Sequence, residues 1–120
     1  MFFISKQRTF QFYKFIILQD YLHKLSFYNL YQFMYNYLAE FVGTLFFVYV
    51  ILATGNPLAI GAAYALSMLL TVNLSGGHLN PAVTIVMASL GKIGTNDIIP
   101  YALAQIFGAL VALELFNRIK

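Results

Sequence analysis

The residues best suited to specific chemistry lie in one short polar stretch, residues 75–84, between two apolar segments. Asn80 carries an amide that can both donate and accept hydrogen bonds, and it is a favourable residue for capping the start of a helix. Pro81 suits the first helical position, where an N–H group would have no intrahelical partner. Gly76 and Gly77 permit backbone angles that other residues avoid. The stretch therefore predicts a tight turn that opens into a helix.

The helix that follows is too short to cross a membrane. From Ala82 to about Leu90 the residues are small or apolar, enough for roughly two turns at ~3.6 residues per turn. A span needs ~20 apolar residues, so we interpret this segment as a re-entrant loop carrying a half-helix. Its unpaired N–H groups and its dipole place partial positive charge beside the Asn80 amide. Such a site favours a neutral hydrogen-bonding molecule and opposes cations.

The composition predicts that this chain lies in a lipid bilayer, which is its first expected partner. Of its 120 residues, 61% are hydrophobic and 9% are charged, whereas soluble domains carry about 25% charged residues. No cysteine is present, which excludes disulfides, thiolate nucleophiles and cysteine-based metal sites. The formal charge of +3 forms no basic stripe on a polar helix, so no nucleic acid is expected. His78 has no acidic or histidine neighbour in sequence, so neither a metal nor a cofactor is expected.

Three apolar segments are predicted to span the bilayer. They cover residues 38–53, 58–74 and 98–116. A turn signal at residues 54–57 separates the first two, and a polar connector at residues 91–97 precedes the third. The sequence thus predicts an all-α, multi-pass integral membrane protein with three transmembrane helices and one re-entrant half-helix.

The N-terminal extension, residues 1–36, differs in composition from the domain predicted at residues 37–120. It is crowded with aromatic side chains, and its apolar run is too short to span a bilayer. Its basic residues are Lys6, Arg8, Lys14 and Lys24. Two interpretations stay open: an interfacial helix lying among lipid headgroups, or a segment outside the working protein, with translation starting at Met34.

Three blocks of sequence resemble the major intrinsic proteins, the family of aquaporins and glycerol facilitators. The blocks are residues 75–84 (SGGHLNPAVT), 39–44 (AEFVGT) and 104–109 (AQIFGA). A single Asn-Pro-Ala triplet is weak evidence for the family, but three blocks in the right order along the hydropathy pattern are strong evidence. The resemblance covers about residues 38–116 and matches only the first half of a family member. It implies an aquaporin-like channel for water or a small polyol.

The resemblance also implies a substrate pathway along the re-entrant loop. Its residues are Gly76, Gly77, His78, Asn80, Pro81 and Ala82. The backbone carbonyls of the first three would form a ladder of acceptors that leads to the Asn80 donor. That pairing suits water, which both donates and accepts hydrogen bonds.

Four further residues receive roles from the same resemblance. Ile60 and Tyr64 share one helix face at i, i+4 spacing and match, respectively, the narrowest point of a family pore and its wall one turn deeper. Plain packing is the alternative for both. Glu40 would be a buried acceptor that braces the loop, the alternative being a carboxylate in interfacial water. Gln105 should be hydrogen-bonded to another helix or to the loop, and a packing role is the preferred interpretation.

The second half of a family pore is missing from this sequence. A family member contains two inverted repeats, each with three spans and a half-helix. With only one, the polar Asn80 end would face lipid at a cost of several kcal/mol. We therefore expect a homo-oligomer, with an antiparallel dimer favoured, or a full-length channel partner. The alternative is a non-conducting structural or interaction protein; an enzyme is not expected, because no nucleophile–base pair is evident.

The basic residues predict the orientation of the chain. With the N-terminus and the connector in the cytoplasm, five lysines and arginines lie inside and two, Arg118 and Lys120, lie outside, which fixes one orientation. A chain that starts at Met34 keeps only Lys92 inside, and the bias nearly vanishes. Such a chain could insert both ways and form the antiparallel dimer, so the Met34 form is expected to be the functional one.

Overall fold

The computed structural model describes all 120 residues, and all of its regular secondary structure is helical. Its helices are α1 (Phe2–Thr54), α2 (Pro57–Ser75), α3 (Pro81–Ser89) and α4 (Ile98–Ile119), with a 3₁₀ turn at Thr95–Asp97. By length and composition, α1, α2 and α4 can each cross a membrane. The predicted fold class, three long apolar helices and one short helix, is confirmed.

The first helix begins much earlier than the predicted span. It starts at Phe2 rather than near Leu38, and the reason is the absence of any helix breaker. Residues 2–36 contain neither proline nor glycine, and both residues are the strongest interruptions of a helix. Apolarity predicted where a span could lie, but it carried no information on where the helix begins.

The chain divides into two compact units, Met1–Phe33 and Met34–Lys120. Every residue of the first unit is exposed. Its side chains interact at i, i+4 spacing: Lys6 lies 5.0 Å above the Phe2 ring and Lys14 lies 5.2 Å above the Phe10 ring. The division falls three residues before the predicted one, and the role of the extension stays a prediction.

Small and polar side chains hold the helices of the second unit together. The buried residues of α1 are Ala39, Glu40, Gly43 and Thr44, those of α2 are Ala63, Ser67, Thr71 and Ser75, and those of α4 are Tyr101, Gln105, Gly108 and Ala112. The α2 set repeats every fourth residue, which places it on one face. Small residues allow helices to approach closely, and interhelical hydrogen bonds replace the hydrophobic drive that lipid removes.

The closest approach of α1 and α4 is at Gly108. A Cβ atom there would overlap the carbonyl oxygen of Phe41 and lie 3.2 Å from the Leu45 nitrogen. Because both atoms are backbone, the helices would have to separate. We expect Gly108→Ala to lower the free energy of unfolding by about 1–3 kcal/mol, measured by thermal unfolding in detergent micelles.

Gly61 provides the matched control, since a Cβ on this α2 residue would meet nothing within 4 Å. Gly61→Ala should leave stability unchanged or raise it, because alanine favours a helix more than glycine. Equal unfolding temperatures for the two variants would contradict the close packing at Gly108.

Candidate functional site

The start of α3 is capped by Asn80, as the sequence predicts. Its backbone is extended (φ −155°, ψ 129°), and its side-chain oxygen Oδ1 accepts a hydrogen bond from the Ala82 N–H at 2.8 Å. Pro81 occupies the first helical position. Because the oxygen of the amide is used by the cap, its –NH₂ group is left as the donor, and the residue is exposed.

The loop before Asn80 depends on left-handed backbone conformations. Gly76 and Gly77 have φ angles of 91° and 63°, and Leu79, which carries a side chain, has a φ of 56°. For a non-glycine residue this conformation costs roughly 1–2 kcal/mol. Leu79 is nevertheless buried, and its side chain packs against Gly43 of α1. A Cβ atom added at Gly43 would lie only 2.6 Å from the Leu79 Cδ2 atom.

Glu40 is fully buried and holds this loop in place. Its Oε1 atom accepts from the Ser75 hydroxyl at 2.6 Å and from the His78 N–H at 2.8 Å. Its Oε2 atom accepts from the Leu79 N–H at 2.6 Å and from the Gln105 Nε2 at 2.9 Å. A buried carboxylate needs such a set of donors to offset its lost hydration, and four donors from three parts of the chain converge here.

Gln105 extends this arrangement to the half-helix. Its Nε2 atom also donates to the Thr84 hydroxyl on α3 at 2.9 Å, and the side chain is almost completely buried. One turn earlier on α4, the Tyr101 hydroxyl donates to the Ser75 carbonyl at 2.8 Å. We call Glu40, Ser75, Thr84, Tyr101 and Gln105 the Glu40 network.

Sequence reasoning singled out only two members of the Glu40 network as site residues. Two of the others could have been suspected from helical spacing, since Thr84 lies one turn after Asn80 and Tyr101 lies one turn before Gln105. Each donates to a backbone carbonyl at one end of the loop: the Thr84 hydroxyl to that of Asn80 at 3.2 Å, and the Tyr101 hydroxyl to that of Ser75. Spacing alone could not show which groups they would meet.

His78 lies inside this arrangement rather than at its surface. Only 3% of its surface is exposed, and its Nδ1 atom lies 3.2 Å from the Thr84 hydroxyl oxygen. Its ring lies 5.1 Å from the ring of Tyr101. The ring therefore packs within the Glu40 network.

The loop carbonyls differ in how they are used. The His78 carbonyl accepts from the Tyr64 hydroxyl, and the Leu79 carbonyl accepts from the Thr44 hydroxyl, each at 3.4 Å. No side-chain donor contacts the carbonyls of Gly76 or Gly77. Of the three carbonyls in the predicted ladder, those of Gly76 and Gly77 thus have no side-chain donor, and that of His78 has one long hydrogen bond, from Tyr64.

The two predicted wall residues on α2 are placed differently. Tyr64 is half-buried, reaches the loop through its hydroxyl and packs edge-on against Phe47, with 5.0 Å between ring centroids. Ile60 is also half-buried, one turn away on the same face, and its place in the pathway stays a prediction. The structure thus joins Tyr64 to the loop at His78, two residues before Asn80.

Known proteins resemble this chain over much of its length. The sequence model of the major intrinsic protein family matches residues 28–120. Glycerol uptake facilitator protein-like 6 of Lactiplantibacillus plantarum is 44% identical over 88 residues, covering 66% of this chain and 41% of that protein. Aquaporin Z of Bradyrhizobium diazoefficiens is 35% identical over 97 residues, covering 68% and 40%. Aquaporin AqpM of Methanothermobacter thermautotrophicus is 46% identical over 59 residues, covering 49% and 24%.

The chain spans about two fifths of the length of the first two relatives. The matched region contains the capped half-helix, its loop and every member of the Glu40 network. Together with three helices able to cross a bilayer, this match shows that the chain is an integral, multi-pass membrane protein that belongs to the major intrinsic protein family.

Proposed function

We propose that this chain forms one half of a membrane channel for water or small uncharged solutes and conducts only as an assembly. The observation that carries the proposal is the Asn80 amide. Its oxygen is fixed by the Ala82 N–H, so its –NH₂ group remains as an exposed donor at the start of a half-helix. The carbonyls of Gly76 and Gly77 supply acceptors close by in the chain.

This arrangement suits a neutral permeant. The start of a helix carries about half a positive charge from its unpaired N–H groups, which repels cations. A passing molecule meets acceptors first and then a donor, so a molecule that does both loses little hydrogen bonding. One relative is named for glycerol uptake and two for aquaporins, and the proposal at this level includes both permeants.

Assembly is required because the polar end of α3 is exposed. Lipid contact at this end would cost several kcal/mol for each unpaired polar group. A second copy in the opposite orientation would bring two α3 starts together and recreate an inverted pair of repeats. The antiparallel homodimer is therefore the favoured assembly, and a full-length channel is the alternative partner.

Osmotic shrinkage of proteoliposomes tests the proposal. Vesicles holding the inserted, oligomeric protein should shrink faster than empty vesicles when an impermeant osmolyte is added outside. A rate equal to that of empty vesicles would refute conduction. It would leave the alternative, a structural or interaction protein that keeps the scaffold.

Orientation gives a second test, and the absence of cysteine in the chain makes it clean. Thr95→Cys in the connector and Asn117→Cys near the C-terminus, made singly, leave every lysine and arginine in place and report the side of the membrane by reaction with an impermeant thiol reagent. A variant that starts at Met34 should label partially at both positions, because its charge bias is nearly zero. The full chain should label from outside only at the Asn117 position. One-sided labelling of the shortened variant would exclude the antiparallel dimer.

A further inference from the structure

A polar cavity lies where the re-entrant loop, the connector and α4 meet. Its volume is about 440 Å³, and its wall includes Ser75, Gly76, His78, Lys92 and Tyr101. The Tyr101 hydroxyl donates to the Ser75 carbonyl at 2.8 Å, so one carbonyl of the wall is already engaged. Neither the cavity nor Lys92 has a role in the function proposed above.

Lys92 brings a positive charge to this cavity. The chain turns at the end of α3 through Gly91, whose φ is 70°, and the Lys92 N–H donates to the Met87 carbonyl at 2.9 Å. This pattern is a Schellman motif, and it fixes the backbone of the lysine at the wall. No carboxylate forms an ion pair with Lys92. The end of α3 carries only about half a negative charge, which is less than the charge of the ammonium group.

The carboxylates of this part of the chain are engaged elsewhere. Glu40 accepts the four hydrogen bonds described above, and Asp97 accepts one from the Tyr37 hydroxyl at 3.0 Å. Neither carboxylate lines the cavity. The only charged side chain in the wall is therefore that of Lys92.

His78 offers the cavity a polar atom that has no partner in the protein. Its Nδ1 atom lies by the Thr84 hydroxyl, whereas no protein group hydrogen-bonds to its Nε2 atom, although only 3% of the residue is exposed. A Cβ added to Gly76 would lie 3.0 Å from this Nε2 atom. Because Gly76 and His78 both line the cavity, Nε2 is the ring atom left for a ligand there.

The hydrogen bonds of Thr84 allow Nε2 to act as a donor. The Thr84 hydroxyl accepts from the Gln105 Nε2 atom, and its single proton can go to the Asn80 carbonyl or to the His78 Nδ1 atom, at 3.2 Å each. The Asn80 carbonyl also accepts from the Thr84 N–H at 3.0 Å, so it does not depend on the hydroxyl. When the hydroxyl donates to Nδ1, a neutral imidazole carries its proton on Nε2.

We propose that this cavity binds inorganic phosphate and that the bound phosphate closes the path. Lys92 supplies the positive charge, and the His78 Nε2–H group supplies a neutral donor. Gly76 supplies a carbonyl that no side-chain donor contacts, and this carbonyl accepts from the P–OH group that inorganic phosphate keeps at pH 7. The closure rests on the function proposed above, because the same carbonyl begins the ladder of acceptors that leads to Asn80.

Nuclear magnetic resonance of ¹⁵N-labelled histidine tests binding without conduction. The chain has two histidines, so His23→Gln leaves His78 as the only signal. In uncharged detergent micelles at constant ionic strength, inorganic phosphate should shift this signal in a saturable way, and the bound form should carry its proton on Nε2. No saturable shift, or a bound form with its proton on Nδ1, would overturn the site.

The proton on phosphate separates it from other oxyanions. Sulfate has no proton at pH 7 and should bind about tenfold more weakly or worse, the effect of one lost hydrogen bond to a charged group. A lipid headgroup diester has none either, so vesicles of phosphatidylcholine with or without phosphatidylglycerol should give the same His78 signal. Equal binding of sulfate, or a shift caused by phosphatidylglycerol alone, would overturn the assignment to inorganic phosphate.

Lys92→Gln removes the charge from the wall and should weaken phosphate binding by about tenfold or more. Lys92 is exposed, so the fold should survive the change. Lys120→Gln is the matched control, because Lys120 lies over the Phe116 ring near the C-terminus and should leave binding unchanged. Equal affinity in Lys92→Gln and the parent would remove Lys92 from the site and overturn the proposal.

Osmotic shrinkage of proteoliposomes tests the closure. With phosphate on both sides of the membrane, the parent should conduct water severalfold more slowly than in chloride of the same osmolarity and ionic strength, whereas Lys92→Gln should conduct equally in both. Equal parent flux in the two buffers would overturn the closure. Flux at the level of empty vesicles in both buffers would refute the proposed function and the closure with it, while the micelle titration decides the site by itself.

Discussion

Replacing Glu40 with glutamine is expected to destabilise the re-entrant loop and so to lower the free energy of unfolding. A glutamine oxygen can still accept from Ser75 and His78, but its –NH₂ group would face the Leu79 N–H and the Gln105 Nε2, which are both donors. Two hydrogen bonds to a charged group are lost at ~1.5–3 kcal/mol each, so the free energy of unfolding should fall by at least ~3 kcal/mol. Thermal unfolding of the purified protein in micelles measures this loss.

Glu114→Gln is the control for that variant. Glu114 pairs only with Arg118 at i, i+4 spacing, and both side chains are largely exposed. Such surface pairs contribute a few tenths of a kcal/mol at most, so the unfolding temperature should barely move. A Glu40→Gln protein with undiminished stability and reduced flux would show that Glu40 acts on the permeant rather than on the loop.

Asn80→Asp should lower the flux of neutral solute roughly tenfold or more, the effect of losing one hydrogen-bond donor from a desolvated site. It should also raise the leak of cations, because a carboxylate cancels the positive charge of the helix start. Aspartate caps a helix as well as asparagine does, so the bond from the Ala82 N–H and the fold should survive. Osmotic shrinkage measures the flux of neutral solute, and a pH-sensitive dye inside the vesicles measures the cation leak as a leak of protons.

The chain contains its own control for this substitution. Asn56 also caps a helix that begins with proline, its Oδ1 atom accepting from Leu58 and Ala59 at 2.9 and 3.3 Å. It lies in the turn between α1 and α2, away from the loop of Asn80. Asn56→Asp should therefore conduct like the parent. An Asn80→Asp protein that does the same, at equal membrane abundance, would remove Asn80 from the path.

Local signals predicted most of the fold. The Asn80–Pro81 pair placed the start of α3 correctly, because capping is decided by two adjacent residues. Apolar length placed α2 and α4, which the structure finds at Pro57–Ser75 and Ile98–Ile119. The predicted span at residues 38–53 lies within α1, but hydropathy could not predict that this helix begins at Phe2, because helix ends depend on breakers that residues 2–36 lack.

The site was harder to predict, because its contacts join residues far apart in sequence. The bond from Gln105 to Glu40 spans 65 positions, and that from Tyr64 to the His78 carbonyl spans 14. A single sequence shows that a buried glutamine needs a partner, but not which partner the packing will supply. The prediction that Gln105 hydrogen-bonds to another helix or to the loop therefore could not name its two acceptors, which are Glu40 and Thr84.

The most direct measurement of the central claim, that two copies complete one path, is a mixing series. Parent and Asn80→Asp chains are combined in the unfolded state, co-refolded into vesicles at constant total protein, and assayed for osmotic water flux. If conduction needs two intact copies in a symmetric dimer, an equal mixture should retain about a quarter of the parent flux. Flux that falls in proportion to the parent fraction, leaving half, would mean that each chain conducts alone and would contradict the account.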